Sequence, residues 1–411
     1  MKKIAVVLLS ALVWSHGLYG QAGPLTVNPV VSLNGPRVSA YIRTWALGST
    51  QEEFDRGVYW TFDQIKAEYL TDIILAFGLI DQQDKSSIYL PDLYDSESKL
   101  RHGATVPGFK SLWREVVKLK ARYPHLKVNL SVGGYLAEFS DTMHDPALRA
   151  KFISAVLISL GVHDLDGIDI DWEYPVGPDW GSEIKARPED RQNYLALLSE
   201  LRTALDGLGA QTGKRYSLST AVPASGWFVQ KNDVVAAAQL VDSLKLMAYD
   251  YYGSWSGQTG HCANLSNNPN DPDWGGWSTK QALDAYLNAG VPPGKLMIGI
   301  PFYGRAWNGV EDGGVNGLYQ KYKESAFPDG LPWSKIKEFL KEGSGYTRYW
   351  DNRAQAPFLY NGDTFITYTD AEAIRLITAY GKEKGLGGVF TWEYAHDIHA
   401  DLLSVMATSA Q

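Results

Sequence analysis

Residues 163–175, His-Asp-Leu-Asp-Gly-Ile-Asp-Ile-Asp-Trp-Glu-Tyr-Pro, constrain this chain more than any other stretch. Asp169, Asp171 and Glu173 alternate there with Ile170 and Trp172. Period two is the signature of a strand, because successive side chains point to opposite faces. Three carboxyls therefore fall on one face and apolar groups on the other. Like charges at that spacing do not all ionise, so at least one proton is shared or retained. A solvated edge strand charged against aggregation would also alternate in this way. Ile168, Ile170 and Trp172 argue instead for a deep strand, and no Lys or Arg breaks the row. A row so costly to fold around, with no structural use, points to chemistry.

The rest of the chain supplies neighbours for that strand. Short apolar runs at Val38–Trp45, Asp72–Gly78, Lys127–Val132, Tyr216–Val222, Ser243–Tyr249, Lys295–Tyr303 and Gly387–Trp392 predict seven more strands. Helical patterns separate them, at Phe62–Tyr69, Phe109–Tyr123, Pro146–Leu160, Arg191–Leu208 and Ala371–Lys382. Asp145 followed by Pro146 is a helix-start signal. Eight strands alternating with helices predict an α/β fold, a closed (β/α)8 TIM barrel over residues 36–411. The rhythm breaks once. Residues 304–369 are too many for a loop, and hold a helical piece at Trp333–Leu340 and strand-like pieces at Tyr346–Trp350 and Phe365–Tyr368. They predict a small α+β insertion between the seventh strand and its helix.

Composition excludes several classes. A net charge of −8 without long runs disfavours a nucleic-acid binder, which carries a basic face. The 14 Trp and 24 Tyr are many for 411 residues and suit flat, apolar sugar faces as well as cores. The eight His show no paired ligand spacing and Cys262 stands alone, so no metal is expected. No phosphate-cradling Gly-rich loop is present, so no nucleotide cofactor is implied. Met1-Lys2-Lys3 and the apolar run to Trp14 predict a secretory signal over residues 1–22, cleaved after Gly20 or Ala22. The expected product is a secreted monomer, extracellular or periplasmic, that keeps no membrane segment once the signal is removed. Despite export, one Cys permits no internal disulfide, and a partly buried thiol is expected at Cys262.

In barrels of this kind functional residues sit at the C-terminal ends of the strands. Those ends carry Asp171 and Glu173; Met247, Tyr249 and Asp250; Tyr303 and Arg305; Trp392 and Glu393. Asp166-Gly167-Ile168-Asp169-Ile170-Asp171-Trp172-Glu173 resembles the signature of glycoside hydrolase family 18, the chitinases and their relatives. Ser131-Val132-Gly133-Gly134 and Met247-Ala248-Tyr249-Asp250 resemble its third- and sixth-strand motifs. Pro301-Phe302-Tyr303-Gly304-Arg305 and Gly388-Val389-Phe390-Thr391-Trp392-Glu393 are similar to the seventh and eighth. The insertion resembles that of the deep-cleft chitinases.

The resemblance implies substrate-assisted, retaining hydrolysis of β-1,4-linked N-acetylglucosamine polymers, chitin and its oligosaccharides, with no cofactor. Glu173 would be the general acid and later the base. The sugar's own acetamido carbonyl would be the nucleophile. Asp171 would hold the acetamido N–H, and Asp169 would share a proton with Asp171, helped by Ser131 and Tyr41. Tyr249 would donate to the acetamido oxygen, and Trp392 would floor the cleavage site. Tyr41, Met247, Asp250, Tyr303 and Arg305 would line the pocket, with Phe77 and Trp255 carried over by position. Asp166 would support the acids together with Ser131. Where many members place a Trp after the third strand, this chain has Tyr135, which offers a sugar less face. Trp180, Trp227, Trp274, Trp277 and Trp307 either extend a sugar track or pack loops.

Two other functions share the scaffold. A chitin-binding lectin would lack the acid at Glu173 or one before it, and all are present here. An endo-β-N-acetylglucosaminidase acting on N-glycan cores would share the acidic strand but lack the insertion and the Tyr-Gly-Arg pattern.

Overall fold

The computed structural model describes residues 26–44, 62–89, 112–135, 137–177, 185–272 and 277–411. The expected signal at 1–22, and Trp180 and Trp274, lie outside them. Eight strands run in order: β1 Arg37–Arg43, β2 Asp72–Ile80, β3 Lys127–Gly133, β4 Gly167–Asp171, β5 Ser217–Pro223, β6 Ser243–Met247, β7 Leu296–Pro301 and β8 Gly388–Trp392. Each pairs in parallel with the next. β8 pairs with β1 as well, so the sheet closes on itself and the predicted barrel is present. A two-residue strand, Ile88–Tyr89, adds antiparallel to the end of β2.

Apolar side chains on the outer face of the barrel, among them Val38, Ile42, Ile73, Leu130, Ile168, Ile170 and Leu244, form one core with the surrounding helices. The helix Pro146–Val162 shows how local sequence sets an element. Asp145 accepts hydrogen bonds from the N–H groups of Ala147 at 2.7 Å and Leu148 at 3.3 Å, and Pro146 fills the first turn. Asp145→Ala leaves those two donors without their cap, and is expected to lower stability by about 1 kcal/mol, measured as a shift of the urea midpoint. Phe62–Tyr69 differs from the predicted helix. It forms two 3-10 turns, Phe62–Gln64 and Ala67–Tyr69. Phe62, Ile65, Ala67 and Leu70 are all buried, and the two-residue step from Ile65 to Ala67 does not fit one helical face.

The stretch after β7 folds as an antiparallel sheet with one helix. Tyr303–Asn308 leaves β7 after a single residue, Phe302, and pairs with Glu324–Ser325, Leu331–Pro332 and Phe365–Thr367. Ala356–Tyr360 and Thr347–Asp351 complete the sheet, and the helix is Trp333–Phe339. The strand at Ala356–Tyr360 was not predicted, since it opens Ala-Pro and is buried throughout, so no alternation marks it. Trp307 and Cys262 are fully buried, the first inside this sheet's own core. Burial pushes the Cys262 thiol up to about 12, which leaves it protonated and a poor nucleophile. No described helix is long and apolar enough to cross a membrane.

Candidate active site

Inside the barrel, Tyr41, Ile74, Ala76, Met297 and Phe390 form a separate cluster, with Phe77, Met247, Tyr249 and Trp392 packed on it. This cluster seats the residues predicted to meet a substrate. Phe77 stacks on Trp392 at 5.5 Å, and Tyr41 approaches the same ring at 5.7 Å. On the outer face of β4 and just beyond it, Ile168, Ile170 and Trp172 are buried, Trp172 stacking on Phe139 at 5.2 Å. The inner face presents the acids. Paired strand residues end at Asp171, and Glu173 stands just beyond, at the rim.

Gly133 lets β3 close against that rim. It pairs with Asp171 at φ +132°, and a Cβ there would lie 2.0 Å from the Asp171 carbonyl oxygen. The Asp171 carbonyl also accepts from Gly134 N–H at 2.8 Å.

Asp169 is completely buried and its two oxygens receive four donors. Oδ2 accepts from the Tyr41 hydroxyl at 2.8 Å and Ser131 Oγ at 3.0 Å. Oδ1 accepts from Lys245 Nζ at 2.8 Å and from Ser219 Oγ. Burial pushes this carboxyl up, but the Lys245 ammonium and the hydrogen bonds outweigh it and hold Asp169 below the ordinary range. Tyr41 and Ser131, which the resemblance set beside Asp169, both bond it. Lys245 and Ser219 were not foreseen.

Asp171 is placed differently. Its Oδ1 is buried and no donor group reaches it. Burial, then Glu173, then Asp169 push it well above the usual carboxylate range, while Lys245 pulls it down. Glu173 is pushed up to about 7 by burial and by the nearby Asp250 charge, against the Tyr174 hydroxyl, which lowers it. Tyr174 packs edge-on to Trp227 at 5.3 Å. Tyr249, raised by burial and by Asp171 and Glu173, keeps its phenol proton and remains a donor.

Arg305 joins several elements. Its Nε and Nη2 donate to Asp250 Oδ1 at 3.0 and 2.8 Å, and its guanidinium lies 5.1 Å from the centre of the Trp255 ring and 5.2 Å from that of Tyr303. Tyr303 lies 6.2 Å from Tyr249, ring to ring. Tyr135 and Trp255 are the most exposed aromatic rings of the set, at 69% and 61%, as binding platforms need to be. Beside Trp392, Glu393 is buried with Arg43 Nε at 3.3 Å and His396 Nε2 at 3.2 Å. Burial lowers His396 to about 4, so it is neutral in ordinary buffers.

Asp166 contacts none of the three acids. It stands just before β4, at the opposite end of the barrel, accepting from Val128 N–H at 2.9 Å and pairing with Lys214 at 3.1 Å and Lys120 at 3.2 Å. Three residue steps along the strand separate it from Asp169, about 10 Å at the rise of an extended chain. It braces the base of the barrel, which corrects its expected place beside the acids. Among the described residues no cluster of His, Cys, Asp or Glu has the makings of a metal site.

Chitinase A1 of Niallia circulans is 38% identical over 294 residues, 68% of this chain and 42% of that protein. A probable endochitinase of Caenorhabditis elegans is 32% identical over 80% of this chain and 51% of its own length. The chain thus spans about half the length of these relatives. Among solved structures, a family 18 N-acetylglucosaminidase from Paenibacillus barengoltzii superposes with a TM-score of 0.74 at 30% identity, covering 91% of this chain and 99% of that one. Chitinase ChiA74 from Bacillus thuringiensis gives 0.78 at 28% identity, over 92% and 70%. Residues 37–397, from the first residue of β1 to beyond Trp392, match the family described as glycosyl hydrolases family 18, and the chain belongs to that family.

Proposed function

We propose that this chain hydrolyses β-1,4-linked N-acetylglucosamine polymers, with Glu173 as general acid and base and the substrate's acetamido group as nucleophile. The row from Asp169 to Glu173 carries the proposal. It climbs from a buried, fully bonded carboxylate to an acid at the rim that is still protonated near neutrality. Such an acid can protonate a glycosidic oxygen. Asp171, between them, has a buried oxygen with no partner, as a group that must turn toward a substrate N–H requires. Tyr249 supplies a neutral hydroxyl and Trp392 a flat floor, both on the cluster that fills the barrel. The names of the relatives, chitinase and endochitinase, agree with this chemistry. Export rests on Met1 to Ala22, and action as a monomer is part of the same reading.

A soluble N-acetylglucosamine tetramer tests the reading, with products separated and their anomers assigned by NMR. The expected products are dimers released as the β-anomer. Binding without cleavage would replace hydrolysis by a lectin role, and no binding would direct attention to N-glycan cores. The acidity of Glu173 gives a second expectation. Its protonated form is lost as pH rises through about 7, so kcat/KM for the tetramer falls above that pH. A plateau extending two units higher would exclude Glu173 as the acid.

A further inference from the structure

Lys245 lies on β6 between Leu244 and Leu246, and its side chain enters the barrel with only 2% exposure. Its Nζ is 2.8 Å from Asp169 Oδ1 and also bonds Ser219. The groups facing Asp169 come from every neighbouring element: Tyr41 on β1, Ser131 on β3, Asp171 on β4, Ser219 on β5 and Lys245 on β6. Tyr249, beyond β6, and Tyr194, on the helix Asp190–Thr212, also sense its charge. Of these, Lys245 alone is a cation. An ammonium donates and cannot accept, so Asp169 cannot pass a proton to it.

Two carboxylates on one strand face ordinarily need a proton between them. We propose that Lys245 is a positioning residue that keeps Asp169 a permanent anion, so that the proton the pair retains stays on Asp171, the member that turns toward substrate and Glu173. This rests on the hydrolase reading for the role of Asp171, but the charge state of Asp169 can be measured apart from it. The unpartnered Oδ1 of Asp171 and the four donors on Asp169 are the two halves of the arrangement. Removing the ammonium leaves a buried carboxylate uncompensated, and the burial that now opposes its charge draws a proton in.

The test is a pH titration of protein labelled with ¹³C at aspartate carboxyls, with Asp169→Asn to assign the signal. In the unaltered protein the Asp169 carboxyl is expected to stay ionised from about pH 8 down to about pH 4. In Lys245→Met it is expected to titrate one to three units higher, about the span of a close opposite charge. Lys245→Arg, which keeps the charge, should leave the titration near its original position. An Asp169 signal that titrates between about pH 5 and 8 in the unaltered protein overturns the proposal, whether or not Lys245→Met folds. So does a folded Lys245→Met with Asp169 unmoved. On the tetramer, the acid limb of kcat/KM should move upward in Lys245→Met and stay in place in Lys245→Arg. If the unaltered protein cleaves no tetramer, the hydrolase reading falls while the titration still decides the charge of Asp169.

Discussion

Glu173→Gln is expected to slow tetramer cleavage by about a thousandfold or more while leaving tetramer affinity within about threefold. The substitution keeps the shape and hydrogen-bonding reach of the side chain but removes the one proton that can be given to the leaving oxygen. Folding should not suffer. Glu173 is raised to about 7 by burial, so the native site already favours an uncharged group there. An amide provides that at every pH, and it also removes the negative charge that raises Asp171. Thermal stability is therefore expected to match the unaltered protein below about pH 4.5, to exceed it increasingly as pH rises to about 7, and to keep that margin above. Single-turnover kinetics and calorimetric binding on the same preparation separate the two effects. A variant that keeps a tenth of the rate would show that the proton comes from elsewhere.

The second large effect is structural. Gly133→Ala places a methyl group 2.0 Å from the Asp171 carbonyl oxygen, at a φ of +132° that L-residues avoid. The colliding atom is backbone in a paired strand, so it cannot swing aside. Relief requires β3 and β4 to part at Gly133–Asp171, which also breaks the bond from Gly134 N–H. A loss of about 3–4 kcal/mol is expected, the range for strain at a special backbone position combined with a core clash. Whatever folds should have lost most activity, because the displaced residue is Asp171 itself. Urea unfolding gives the first number and tetramer cleavage the second. An unchanged midpoint would mean that the two strands do not meet as described.

Asp169, Asp171 and Glu173 were legible because period two is local: a strand's alternation is written in consecutive residues. The other seven strands were legible as short apolar runs, and the helix start from Asp145-Pro146, signals that are equally local. Lys245 was not. Ser243-Leu244-Lys245-Leu246-Met247 reads as a strand with one charged position, and nothing in it says that its partner lies 76 residues earlier. Arg43 and Glu393 meet only because β1 closes against β8. Asp166 failed in the opposite way. The resemblance put it in support of the acids, but an extended chain carries a residue to the far end of its barrel within three steps. Charges that meet through closure, and residues that part through extension, need the fold before they can be assigned.

The sheet that follows β7 has a mechanical consequence. Its strand Tyr303–Asn308 is the continuation of β7 with Phe302 alone between them, and Phe302 is itself tied, its N–H to the Trp392 carbonyl at 3.0 Å and its carbonyl to Trp333 N–H at 2.9 Å. On the far side, Arg348 grips Asp370, the cap of the next barrel helix, and Lys337 reaches Asp401 on the last one. A wall clamped at its root and at two outlying points has no axis on which to swing. Tyr303 and Arg305, which it carries, are therefore held in register with Tyr249 and Asp250 before any ligand arrives. Binding energy need not be spent on bringing these two side chains into place.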